Sequence, residues 1–173
     1  LGAPNVRIFG GKLTEGDTRE AALERIGRVM AAGAAVNPAI NICLEIHDIW
    51  TNAGEVKCIL DLAGQPNAKA LWDLHGSDTA HETPEHVIAT LAPERIAYLH
   101  VKDWFPVPGR DRLYQCFIGA GITPISEVVR RLKLANWSGY LNVEWEGVYN
   151  PYMPEMEVGA AQAIMKLRQY VAE

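Results

Sequence analysis

The segment Leu99-His100-Val101-Lys102-Asp103-Trp104-Phe105 places an imidazole, an ammonium and a carboxylate within four positions, straight after the apolar run Ile96-Ala97-Tyr98-Leu99. Three other apolar runs end in the same way, on Glu45-Ile46-His47, on Asp73-Leu74-His75 and on Glu144-Trp145-Glu146. A single carboxylate at such a place usually caps a helix or makes a loop salt bridge, and a single histidine is usually packed and hydrogen-bonded. The spacing argues for more. Glu45 and Asp73 are 28 positions apart, Asp73 and His100 are 27, and His100 and Glu144 are 44. The first two gaps are about one strand-helix unit each, and the last is one unit plus a long loop. Parallel strands set equivalent positions side by side, so these residues converge at the carboxyl edge of a sheet, where α/β folds hold their active sites. Three carboxylates and an imidazole gathered there repel unless a cation sits between them. Oxygen-rich ligation with one ring nitrogen suits Mn²⁺ first, with Mg²⁺, Co²⁺ or Zn²⁺ as other occupants. Side chains alternate along a strand, so Glu45 and His47 share a face, as do Asp73 and His75, His100 and Lys102, and Glu144 and Glu146. Each pair offers one candidate ligand and one partner for ligand or substrate.

The elements that must position these residues are legible in the hydrophobic pattern. Short apolar runs at Val6-Phe9, Ile40-Ile46, Ala70-Leu74, Ile96-Val101 and Tyr140-Trp145 have the near-continuous hydrophobicity of parallel strands covered on both faces. Between them lie helical stripes with start signals. Asp17 or Thr18 caps a helix carrying Ala22, Ile26, Val29 and Met30, while Thr83-Pro84 and Thr123-Pro124 each supply a cap and an N1 proline. A weaker helix covers Glu55 to Leu62 and a last one runs from about Met156 to Val171. Strand-helix repeated about five times is an α/β protein with a parallel sheet. Asp103 to Thr123, with two prolines and three glycines, reads as a long irregular loop, and a loop of that length in a compact domain is more often functional than idle.

Composition excludes several classes. The chain of 173 residues is 49% hydrophobic and 21% charged, enough for one sizeable core and short for two domains, so residues 1–173 read as one α/β domain. A net charge of −5 and the lack of a basic block argue against a nucleic-acid surface. No apolar stretch approaches the roughly 18 residues of a membrane span. Three widely spaced cysteines, Cys43, Cys58 and Cys116, fit structural thiols in a reducing compartment, the cytoplasm. No signal peptide is visible, although the sequence opens on Leu1 rather than Met. Trp50, Trp72, Trp104 and Trp145 read equally as a sugar-stacking wall or as core. Arg7 and Arg110 are candidate binders of anions or hydroxyls, and His81 and His86, at a helix start, read as solvated.

"CLEIH", "LWDLHG", "YLHVKDW" and "GYLNVEWEG" resemble the successive strand-end motifs of the xylose isomerase-like TIM barrels. That superfamily includes sugar epimerases, hydroxypyruvate isomerase, inosose dehydratase and endonuclease IV-like proteins. "IGAGITPISEVVRRLKLANWSGYLNVEWE" is similar to the family's Gly-x-Gly loop, helix and final strand, so the resemblance covers essentially the whole chain. It implies a metal quartet of Glu45, Asp73, His100 and Glu144, with Glu45 and Glu144 as the proton-transfer pair and Glu146 behind Glu144 or at the substrate. It also implies substrate contacts for His75 and for Arg110 in the loop after the seventh strand. Some members carry a histidine three residues after the metal-binding aspartate, where this chain has Gly76. The endonuclease IV branch is less similar, since its three-metal site needs several more histidines. Five units match the family's fourth to eighth. A full eight-unit barrel takes about 250 residues. The chain therefore reads as the C-terminal part of a (β/α)8 barrel, either a fragment or a chain whose missing wall comes from another.

The function these readings imply is a metal-dependent isomerase or epimerase of a small sugar, polyol or keto-acid. A metal-polarised carbonyl acidifies the neighbouring C–H, and Glu144 and Glu45 exchange the proton through an enediolate. His75 and Lys102 would steady developing negative charge, and in a dehydration His47 or His75 would serve as the acid for the departing hydroxyl. The alternatives are an inosose dehydratase-like lyase using the same metal, and a non-catalytic barrel module. Open sheet edges imply a homo-oligomer, most simply a dimer.

Overall fold

Extended β-branched and aliphatic runs, each followed by an amphipathic helix, build the molecule, and in the computed structural model residues 2–173 are described. The order is β1 (Asn5–Ile8), α1 (Arg19–Val36), β2 (Asn41–Glu45), α2 (Ala53–Ala63), β3 (Ala68–Asp73), α3 (Leu74–Thr79), α4 (Pro84–Leu91), β4 (Ile96–Val101), β5 (Asp103–Pro106), β6 (Leu113–Cys116), α5 (Ile125–Leu134), β7 (Tyr140–Val143) and α6 (Met156–Ala172). Five strands form one all-parallel sheet in the order β1-β2-β3-β4-β7. Helices α1, α2, α4, α5 and α6 follow one another along its outer face. The architecture is a partial (β/α) barrel of five units. Its core lies between sheet and helices, with Met30, Leu44, Ile59, Leu60, Trp72, Leu99 and Leu132 almost completely enclosed.

The predicted start signals hold with one exception. The Thr18 hydroxyl accepts from Ala21 N at 3.2 Å and the Thr83 hydroxyl from His86 N at 3.2 Å, with Pro84 in the first turn. Asn52 caps α2 by accepting from the Gly54 and Glu55 amides, which starts that helix two residues earlier than its apolar stripe. Thr123 is the exception. Helix α5 begins at Ile125 without a side-chain cap, and Thr123 instead gives its amide to the Asp103 carboxylate at 3.1 Å.

Two expectations are corrected. The stretch after β4 is not irregular: β5 and β6 pair as an antiparallel hairpin, with Trp104 opposite Gln115. Asp103 ties down its base, accepting from Trp104 N and Thr123 N through Oδ1 and from Gly119 N and Gly121 N through Oδ2, all between 2.8 and 3.1 Å. A Cβ on Gly121 would come 2.2 Å from Trp104 O, so only glycine lets the chain close there. Nor does β3 continue to His75. It stops at Asp73, whose Oδ1 accepts the His75 amide at 3.0 Å and turns the chain into α3. The turn brings Gly76 against β2, where a Cβ would sit 2.1 Å from Ile46 O. No side chain fits at that position, which accounts for Gly76.

One register detail matters for the site. Between β3 and β4 the pairing runs Ala70↔Ile96 and then Leu71↔Tyr98, leaving Ala97 over. The shift sets Asp73 opposite His100; without it Leu99 would occupy that place.

Candidate metal centre

Each candidate ligand stands at the carboxyl end of its strand because the local sequence ends the strand there. Glu45 closes β2 and Asp73 closes β3, His100 is the penultimate residue of β4, and Glu144 follows the last residue of β7, its amide still bonded to Val101 O at 3.0 Å. The register is staggered: Glu45 pairs with Leu71 and His100 with Asn142. Asp73 and Glu144 therefore stand two positions further along than those partners. A stagger of two preserves the face, and all four side chains meet.

One ligand atom from each of Glu45, Asp73, His100 and Glu144 lies within 4.8 Å of the other three. Donors held 2.0–2.2 Å from a common ion are at most about 4.4 Å apart, so the group needs only a few tenths of an ångström to close on a cation. His100 Nδ1 is 2.7 Å from Glu45 Oε1 and 3.6 Å from Glu144 Oε2. Neither approach has hydrogen-bond alignment. Glu45 Oε2 and His100 Nδ1 are buried without a hydrogen-bond partner among the described residues, and Asp73 Oδ2 meets only the Lys102 ammonium, at 3.1 Å. Buried polar atoms are almost always satisfied, and polar atoms aimed at one point without protein donors are suited to a cation. The donor set of three carboxylates and one imidazole therefore fits a divalent metal.

Lys102 supplies the positive charge within the protein itself. Its Nζ reaches Glu144 Oε2 at 2.5 Å, Glu146 Oε1 at 2.8 Å and Asp73 Oδ2 at 3.1 Å, and the residue is 2% exposed. Burial works to lower the Lys102 pKa, but Asp73, Glu144 and Glu146 outweigh it and the net shift is upward, so the amine stays charged. Burial raises Asp73 despite the opposing pull of Lys102. Glu144 is also pushed up by burial, yet the Lys102 hydrogen bond and the charges of Lys102, His100 and Arg7 carry it below the usual carboxylate range. Arg7, on β1, crosses to both ends of the group, with Nη1 3.4 Å from Glu45 Oε2 and 3.9 Å from Glu144 Oε1. An open cavity of about 620 Å³ adjoins this cluster, lined by Arg7, Tyr98, His100, Asn142 and Glu144 among others.

The other sequence candidates are scattered around this centre. His75 lies in the first turn of α3, its ring stacked on Trp104 at 4.5 Å between centroids. His47, beyond the end of β2, is half-buried; its Nδ1 is 3.2 Å from Asp48 and its ring meets the edge of Phe9. Arg110 is exposed in the turn of the β5–β6 hairpin, apart from the four-residue group. Trp50, Trp72 and Trp104 are buried and are not free to form a stacking wall.

Sequence reading missed Gln115, on β6. Its side chain is enclosed against the backbone of Glu144 and Glu146. No motif marks it, because the contact depends on how the hairpin folds back. Among the described residues no helix is long and apolar enough to cross a membrane.

Solved structures with this fold include a xylose isomerase domain protein from Alicyclobacillus acidocaldarius subsp. acidocaldarius. It is 23% identical, with a TM-score of 0.73 over 99% of this chain and 65% of that one. An IOLI protein with a binding zinc atom is 17% identical, with a TM-score of 0.80 over 99% of this chain and 64% of its own. A D-psicose 3-epimerase crystallised in the presence of D-fructose is 15% identical, with a TM-score of 0.71 over 96% and 65%. The likeness at these identities is one of fold, and the chain spans just under two thirds of their length. No curated protein matches the sequence. The model of the xylose isomerase-like TIM barrel, however, matches residues 1–170. With five parallel βα units and a ligand group at their carboxyl ends, this chain belongs to the xylose isomerase-like TIM barrel family.

Proposed function

We propose that the protein binds one divalent cation through Glu45, Asp73, His100 and Glu144 and isomerises or epimerises a small ketose, polyol or keto-acid. The observation that carries this reading is the convergence of four ligand atoms at a place where buried Glu45 and His100 atoms lack hydrogen-bond partners. A zinc-bearing neighbour and a neighbour named as a ketose epimerase support it. The hard, oxygen-rich donor set favours Mn²⁺, with Mg²⁺, Co²⁺ or Zn²⁺ as substitutes. A bound cation supplies Lewis acidity to adjacent substrate oxygens. Glu144, kept ionised by Lys102 and facing the cavity, takes the proton from the carbon beside the carbonyl, and Glu45 returns one from the other side of the enediolate. Lys102, held by Asp73, Glu144 and Glu146, orients the two glutamates and offsets their charge, while Arg7 faces the substrate oxygens. A cytoplasmic location is in keeping with the three free cysteines.

Incubation with Mn²⁺ and a panel of ketoses in D₂O is expected to give isotope exchange at the carbon beside the carbonyl. Glu144→Gln should slow exchange by roughly 10²-fold or more, the usual worth of a positioned base. Glu146→Gln should cost far less, in exchange and in metal affinity alike. The reverse order would move the ligand two residues along; absence of exchange in Mn²⁺-loaded protein rejects isomerisation, and an absorbing enone product assigns dehydration instead.

The same reading makes the protein a homo-oligomer. Strands β1 and β7 are the two edges of the sheet, and Val6, Phe9 and Tyr140 beside them are 43%, 49% and 70% exposed. Unpaired strand edges with apolar side chains favour association. Sedimentation equilibrium of the 173-residue chain is expected to show a dimer at micromolar concentration. A monomer with a cooperative melt would contradict it.

A further inference from the structure

Glu144 leaves β7 at the point where the strand runs out of neighbours. Its amide is bonded to Val101 O, but the carbonyl of Glu144 and the amide of Glu146 lie beyond the ladder. Gln115 meets both. Its Nε2 donates to Glu144 O at 2.7 Å and its Oε1 accepts from Glu146 N at 2.9 Å. A carbonyl only accepts and an amide N–H only donates, so the side-chain amide has one orientation here and mimics a strand partner. The residue is 1% exposed. The network continues outward: the single Tyr152 O–H proton is shared between Gln115 O and Asn150 Oδ1, each 3.1 Å away, and Asn150 Nδ2 donates to Glu146 O at 3.1 Å. The hairpin that carries Gln115 is itself held by the four amides on Asp103.

We propose that Gln115 is a positioning residue for the metal centre: through its two hydrogen bonds it fixes the backbone on either side of Trp145, so that Glu144 points into the ligand group and Glu146 onto Lys102. The inference rests on the metal reading above. A ligand is only as well placed as the groups behind it, and removing such support typically weakens metal binding about 10- to 100-fold.

The test is Mn²⁺ titration of the protein and of Gln115→Met and Gln115→Glu, with the paramagnetic resonance spectrum of the bound ion and the melting temperature of the metal-free protein recorded for each. Gln115→Met keeps length and volume and loses both hydrogen bonds; it is expected to weaken Mn²⁺ binding about 10-fold or more and to alter the spectrum of the ion that remains bound. Gln115→Glu keeps the acceptor for Glu146 N but turns an acceptor instead of a donor onto Glu144 O, and should also weaken binding and alter the spectrum. Equal affinity and an unchanged spectrum in both variants overturn the proposal. So does weakened binding with a parental spectrum that merely tracks a lowered melting temperature, and so does failure of both variants to fold, since each assigns Gln115 to general stability. Where only Gln115→Met fails to fold, Gln115→Glu decides. If the parent protein binds no Mn²⁺, the metal reading itself falls, an outcome distinct from a parent that binds while its Gln115 variants bind equally well.

Discussion

Replacing His100 with Ala is expected to take the protein from one bound divalent cation per chain to none that survives dialysis. His100 is the only nitrogen donor of the group, so no other side chain of the group replaces it in kind. Loss of a direct ligand should exceed the roughly 10- to 100-fold penalty seen when only a supporting residue is removed. Elemental analysis after exhaustive dialysis against Mn²⁺-free buffer reads the result. A melt in chelator separates it from unfolding, because a simple loss of fold would lower the melting temperature of the metal-free protein, whereas loss of a ligand would lower only the increment that metal adds. Full occupancy in the variant would remove this site.

How far the site is visible before folding is instructive in His100 itself. Its residue type, its place after an apolar run and its distance from Asp73 all point to the right neighbour. Yet the 27-residue spacing works only because Ala97 is extruded from the β3–β4 pairing, and nothing in Ile96-Ala97-Tyr98 announces that shift. The parallel sheet and its order follow from hydrophobic runs, which depend on local sequence. The hairpin does not, because β5 and β6 are short and proline- and glycine-flanked, and their pairing is set by Asp103 gathering amides from residues up to 20 positions away. Lys102 shows the same limit. Alternation places it on the ligand face, but only the packed structure sets it against three carboxylates. Charge explains why it sits there. Glu45, Asp73, Glu144 and Glu146 bring four negative charges; Lys102 and Arg7 offset two, and the remainder matches one divalent cation.

Asp103→Ala should be the most damaging single change outside the ligand group. The carboxylate is 1% exposed and accepts four backbone amides, two of which, from Trp104 and Thr123, belong to buried residues. Removing it leaves those two donors unpaired at about 1–3 kcal/mol each, while the Gly119 and Gly121 amides, nearer the surface, can turn to water. A total of about 2–6 kcal/mol is large against the roughly 5–15 kcal/mol of an ordinary domain. Asp103→Asn supplies one acceptor oxygen and so can hold one pair of amides, while its NH₂ group faces the other pair donor to donor; about half the loss is expected. Denaturant unfolding measures both, and a shift of Asp103→Ala by less than about 0.5 kcal/mol, the range of an ordinary surface change, would show that the hairpin base is held by something else. Because Gln115 rides on the same hairpin, the folded fraction of Asp103→Ala should also bind Mn²⁺ more weakly than the parent. That loss of affinity, measured below the unfolding transition, would link the stability of the loop to the placement of Glu144.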